Sequence, residues 1–142
     1  MISPLQLVSI TDFILAIECL FLAGILFGKI KKKSSGPKLL SLFLFFAGMA
    51  AFMGGLDLGF FQTIDQRYYP RTLTYLCVAF STFFLFRYTA ITFFKKKHMT
   101  FFNIIMYGQL IGFLICSFLI HNFLVVIANY APVLLLFFVM KL

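Results

Sequence analysis

From Phe101 to Met140 the chain runs forty residues without a charged side chain. That is about twice the ~20 apolar residues with which a helix crosses the roughly 30 Å hydrocarbon core of a bilayer. Such a segment has too little polar surface for water, so its solvent is lipid. In lipid the backbone has to satisfy its own hydrogen bonds, which leaves helices or a closed β-barrel. Barrel strands alternate apolar and polar residues over about ten positions, whereas Leu134–Met140 is apolar throughout and Leu39–Phe46 is broken only by Ser41. Helices are predicted, with the forty-residue run dividing in two near His121-Asn122.

Three further apolar segments precede that run. The first, about residues 10–30, ends in Lys29 and Lys31–Lys33 before the breaker cluster Ser34-Ser35-Gly36-Pro37. The second covers about 39–62 and the third about 72–94, with the polar stretch Thr63–Arg71 read as the loop between them. The last two spans are then about 101–120 and 123–140. Met1–Ser9 holds no lysine or arginine, unlike the basic start of a cleaved signal peptide, so span one is expected to be retained. The expectation is an all-α, polytopic transmembrane helical bundle of about five spans, one membrane domain over residues 1–142.

Lysine sets the predicted orientation, because short cytoplasmic loops are enriched in Lys and Arg. The first connection carries Lys29, Lys31–Lys33 and Lys38, the third carries Lys95–Lys97, and Lys141 follows the last span. With five spans all of these fall on one side, giving an N-out, C-in topology. The net charge of +8 therefore reads as loops beside anionic headgroups rather than a nucleic-acid surface. The partner expected first is the lipid bilayer, that of a bacterial inner membrane or, as the alternative, an organelle.

Small residues predict where helices approach closely. Ala47, Ala51, Gly55 and Gly59 recur every four residues in span two, Gly24 and Gly28 do so in span one, and Gly108 and Gly112 in span four. Small residues at such spacing let helix backbones meet, so spans one, two and four are expected to pack together, within the chain, in a homo-oligomer or against other membrane subunits. Span three lacks glycine and is rich in phenylalanine, and is expected to face lipid. Cys19, Cys77 and Cys116 have no paired spacing and read as small apolar fillers.

Three acids in or beside the spans are the candidate functional residues. An intramembrane carboxylate costs a few kcal/mol at mid-bilayer, so it faces the interior, pairs or takes up a proton. At ~1.5 Å per residue, Glu18 lies about 12 Å below the outer end of span one and Asp57 about 8 Å below that of span two. Their similar depth predicts an outward-facing acidic pocket built on Glu18 and Asp57. Asp12, roughly 120° from Glu18 around the helix, belongs at its rim. Ser81, Asn129 and His121 are the expected polar neighbours, and Gln109 is expected to bond a neighbouring helix. Such a site suits a cation, a proton or a polar head group; the competing reading makes the acids packing residues.

Catalytic constellations are missing from the sequence. His98 and His121 are expected on opposite faces of the membrane, which leaves no convergent His-rich metal site, and no G-x-S-x-G elbow, Walker loop or H-E-x-x-H motif occurs. The expectation is a non-enzymatic protein with no metal and no cofactor, binding a small polar ligand or serving as a structural subunit.

Two short motifs add a resemblance. Thr11-Asp12-Phe13-Ile14-Leu15-Ala16 and Gly54-Gly55-Leu56-Asp57-Leu58-Gly59-Phe60 resemble an uncharacterised family of small bacterial multi-span proteins over about the first 95 residues. That family's pattern, with histidine before the last glycine, is loosely similar to the membrane hydrolases that include alkaline ceramidases and adiponectin receptors. Those have seven spans and a zinc held by histidines and aspartate. Here Leu58 stands at the histidine position and about five spans are present. The resemblance thus implies a membrane fold and only distantly a lipid hydrolase.

Overall fold

The computed structural model describes residues 4–29, 35–61, 64–94, 98–119 and 123–140. Within them the chain forms α1 (Pro4–Gly28), α2 (Ser35–Gly59), α3 (Ile64–Phe93), α4 (Met99–Leu119) and α5 (Phe123–Val139). The first four helices are long and apolar enough to cross a membrane, and α5 is a shorter apolar helix. The turn expected at His121-Asn122 and the lysines at 31–33, 95–97 and 141 lie outside the described residues.

Local chemistry explains most helix limits. Pro4 opens α1 and Pro37 falls in the first turn of α2, where a missing N–H leaves no bond unmade. Helix α3 departs from expectation by starting at Ile64 and running through Pro70. The stretch read as a loop is its first two turns, because one proline costs a single backbone bond while the flanking residues continue the helix.

Helices α1 and α2 form an antiparallel hairpin on a seven-residue repeat. Ser9, Ala16 and Ala23 are the buried residues of α1, and they meet Gly55, Gly48 and Ser41 of α2 in turn. Ser9 Oγ donates to the Gly55 carbonyl at 2.7 Å and Ser41 Oγ donates to the Ala23 carbonyl at 2.8 Å. Between these two ties, a Cβ on Gly48 would lie 2.9 Å from Leu20 Cγ and 3.2 Å from the Ala16 carbonyl oxygen.

The four-residue stripe expected on span two is therefore corrected. Gly55 and Gly59 lie on the seam, against Phe13 and Ser9, but Ala47 and Ala51 turn into a cavity. A step of four residues advances about 40° around a helix, so the row from 47 to 59 winds through about 120°, whereas a step of seven drifts by only about 20°. Gly24, Gly28, Gly108 and Gly112 face open space. Within the chain, helix α4 packs on α3 and α5, so the expected packing of spans one, two and four is not made by α4 on the α1–α2 hairpin in this chain; its between-chain form is untouched by this.

Helix α3, expected to face lipid, is instead the hub, packed against α2, α4 and α5. It does without glycine because Ala79, Ser81, Thr82, Thr89 and Ala90 are small and buried. Thr82 and Thr89 donate their hydroxyls back to carbonyls one turn earlier, so they enter the core satisfied. Beside them Asn129 Nδ2 of α5 donates to Thr82 Oγ1, and Gln109 Nε2 of α4 donates to the Asn129 side-chain and backbone oxygens. Gln109 thus bonds a neighbouring helix as expected, and this amide relay ties three helices together.

Candidate functional site

In the last turn of α2, Asp57 is buried at 7% exposure. Arg67 and Arg71, one turn apart on α3, share a face and converge on it. The Arg67 guanidinium reaches both carboxylate oxygens, Nε to Oδ1 at 2.9 Å and Nη2 to Oδ2 at 3.5 Å, while Arg71 holds on by one 3.5 Å contact. Asp57 and Arg67 sit at the helix ends their macrodipoles disfavour, the acid in the last turn of α2 and the arginine in the first turn of α3. Their mutual pairing is what compensates for that placement.

A cavity of about 740 Å³ begins at this cluster. Its back wall is Ala47, Ala50 and Ala51 of α2 with Val78 of α3, and its flanks are Leu15 and Cys19 of α1 and Val126 and Tyr130 of α5. Polar groups gather toward Asp57, where Asp12, Arg71, Thr74 and Tyr75 line the same space. Helix α1 packs on α2, and α5 on α3 and α4, so the two flanking helices have no extended contact with each other. Tyr130 donates its hydroxyl to Ser81 at 2.8 Å, and with Asn129 this anchors α5 to α3 rather than to α1.

The sequence-predicted residues separate accordingly. Asp57 and Asp12 both line the cavity, Asp57 buried and Asp12 partly exposed. Glu18 does not join them; it is exposed and outside the cavity lining. Asp12, Leu15 and Cys19 follow one another by three and four residues, which puts them on one face, with Glu18 about 120° from Asp12 and about 100° from Cys19 around the helix. Ser81 and Asn129 are buried in the helix ties and supply no wall. His121 lies outside the described residues. His98 is exposed at the start of α4.

Asp12 has no hydrogen bond or ion pair with any described residue. Its Oδ2 lies over Gly54, 3.5 Å from where a Cβ would stand, so the missing side chain leaves the carboxylate free to face the cavity. Sequence reasoning missed Arg67, Arg71 and Tyr130. The four-residue spacing of the two arginines was the available signal, masked by reading the polar stretch Thr63–Arg71 as a loop.

The chain matches the model of the Family of unknown function (DUF6962) over residues 7–142. Neither a curated protein nor a solved structure matches it.

Proposed function

Because the chain belongs to that family of unknown function, we propose its role from the site itself: an integral membrane protein that binds a polar-headed amphiphile. The observation that carries this reading is one cavity with charged groups, Asp12, Asp57 and Arg71, at one end and mostly apolar walls over the rest. A volume near 740 Å³ falls in the ~300–1,000 Å³ range of small-molecule sites. It suits a head group and the first stretch of its chain, the remainder lying in the bilayer between α1 and α5. A bare cation fits less well, since the charge of Asp57 is already matched by two guanidiniums and Glu18 lies elsewhere. With the lysine-rich connections in the cytoplasm, the charged end opens to the outer leaflet of a bacterial inner membrane or its organellar counterpart.

The test is thermal unfolding of delipidated protein in mild detergent with and without added phospholipid. Wild type is expected to gain several degrees, and Ala51→Phe, which fills the cavity from its back wall, to gain none. An equal gain in the filled variant would overturn the reading.

One observation favours a second role, as a subunit of a larger membrane assembly. Glu18 is exposed in the middle of α1, where lipid is a costly neighbour for a carboxylate, and Gly24 and Gly28 on the same helix face open space. A partner helix bearing a basic group would relieve the first and fill the second. Native mass spectrometry yielding only monomer would count against it. The lipid-hydrolase alternative has less behind it: among the described residues no group of three or more His, Cys, Asp or Glu is placed to hold a metal ion. Stoichiometric zinc in the purified protein would restore it.

A further inference from the structure

Resting on the amphiphile reading, we infer that the cavity selects a zwitterionic head bearing a primary amine, its anionic group received by Arg71 and its ammonium by Asp12. The distribution of charge carries this. Asp57 with Arg67 and Arg71 leaves one positive charge over, and Asp12, beyond ion-pair distance of either arginine, supplies one negative charge to the same cavity. A ligand with a single charge would leave one of these two facing apolar walls unmatched, at a cost in any low-dielectric site. A zwitterion answers both.

The hydrogen-bonding inventory narrows the head further. Arg71 is held by one long contact while Arg67 holds the same carboxylate through two. Arg71 therefore keeps most of its donors for a phosphate or carboxylate, which a guanidinium fork matches in geometry. Asp12 offers acceptor oxygens and no donor. A primary ammonium brings three donors to it, whereas a quaternary ammonium brings none, so ethanolamine-type heads are favoured over choline-type ones. Thr74, lining the same cavity, donates its hydroxyl to the Pro70 carbonyl and keeps that oxygen as an acceptor.

Delipidated full-length protein is titrated with phosphatidylethanolamine, phosphatidylcholine, phosphatidylglycerol and soluble phosphoethanolamine, with thermal shift as the readout. Wild type is expected to prefer phosphatidylethanolamine to phosphatidylglycerol. Asp12→Asn, which removes no bond among the described residues, should cut that preference about tenfold, the worth of one charge-assisted hydrogen bond. Asp12→Lys should invert it. Arg71→Gln should weaken all three lipids, its fold preserved because Arg67 still holds Asp57.

A preference unchanged in Asp12→Asn, with binding still abolished by Ala51→Phe, would overturn the head assignment and leave the cavity reading intact. Lipid shifts that persist in Ala51→Phe would remove both. A full shift from soluble phosphoethanolamine alone would retain the charge match and overturn the lipid as its source.

Discussion

Helix α2 presents small residues on two faces, and the two faces end differently. Toward α1, Ser41, Gly48 and Gly55 are covered by Ala23, Ala16 and Ser9, leaving no space for even a methyl group at Gly48. Toward α5, Ala47, Ala51 and Gly54 line open space. Composition does not separate the two faces. What separates them is whether the facing helix is free to come in. Helix α1 closes on α2 through the hydroxyl ties at either end of the seam, whereas α5 is held to α3 by Asn129 and Tyr130. Small residues remove bulk; the anchoring of the opposite helix decides whether the result is a seam or a cavity.

The largest break in this comparison is expected at the charged end of the open face. Asp57→Asn leaves Arg67 and Arg71 without their acid, and removing one member of a buried pair costs about 3–5 kcal/mol. Those arginines are partly exposed, so the lower end of that range is expected, measured as unfolding free energy in mild detergent. A loss below about 1 kcal/mol would mean that the cluster is solvated and does not hold α2 to α3.

Next in size is Gly48→Leu, set against Ala51→Leu three residues away. The first drives a side chain into Leu20 and the backbone of Ala16, and overpacking of this kind costs about 1–3 kcal/mol. The second adds the same bulk on the cavity side and is expected within about 0.5 kcal/mol of wild type. Equal losses at the two positions would erase the distinction between seam and cavity.

Several features of this arrangement were legible in the sequence. Hydropathy and polar breaks give five helices, because a span in lipid is fixed by length and apolarity alone. Gly55 and Gly59 were found as packing residues, and Gln109 as a helix-to-helix donor. Helix phase was less accessible. Choosing Glu18 over Asp12 rested on depth, yet depth says nothing of which face a helix turns inward. That is set by the seven-residue repeat Ser9, Ala16, Ala23, in which serine serves as a small residue. Arg67 and Arg71 were hidden by the polarity of Thr63–Arg71, which reads as a loop, and the central role of α3 by its phenylalanines, since Ser, Thr and Ala do there what glycine does in α2.

A smaller effect sharpens the seam itself. Ser9→Ala and Ser41→Ala each remove one interhelical hydrogen bond and leave the packing untouched. Interhelical bonds in membranes average about 0.6 kcal/mol, so each loss should be near that value and the double variant near additive, the sites being two full repeats apart. Losses much larger than this would mean that the bonds, rather than the close packing at Gly48, set the register of the hairpin.

A last effect, of similar size, is one of sign. Gly48→Ala places a methyl group against Leu20 and Ala16, and is expected to destabilise. Gly24→Ala and Gly108→Ala place one in open space, where relief of glycine's conformational freedom in a helix interior favours the variant by about 0.5–1 kcal/mol. In detergent, monomeric protein should therefore show opposite signs at chemically identical substitutions. If Gly24→Ala instead lowers stability or dissociates an oligomer, another helix covers that face of α1. Glu18, about 120° from Gly24 around the helix, lies off that face, so its carboxylate needs a contact of its own.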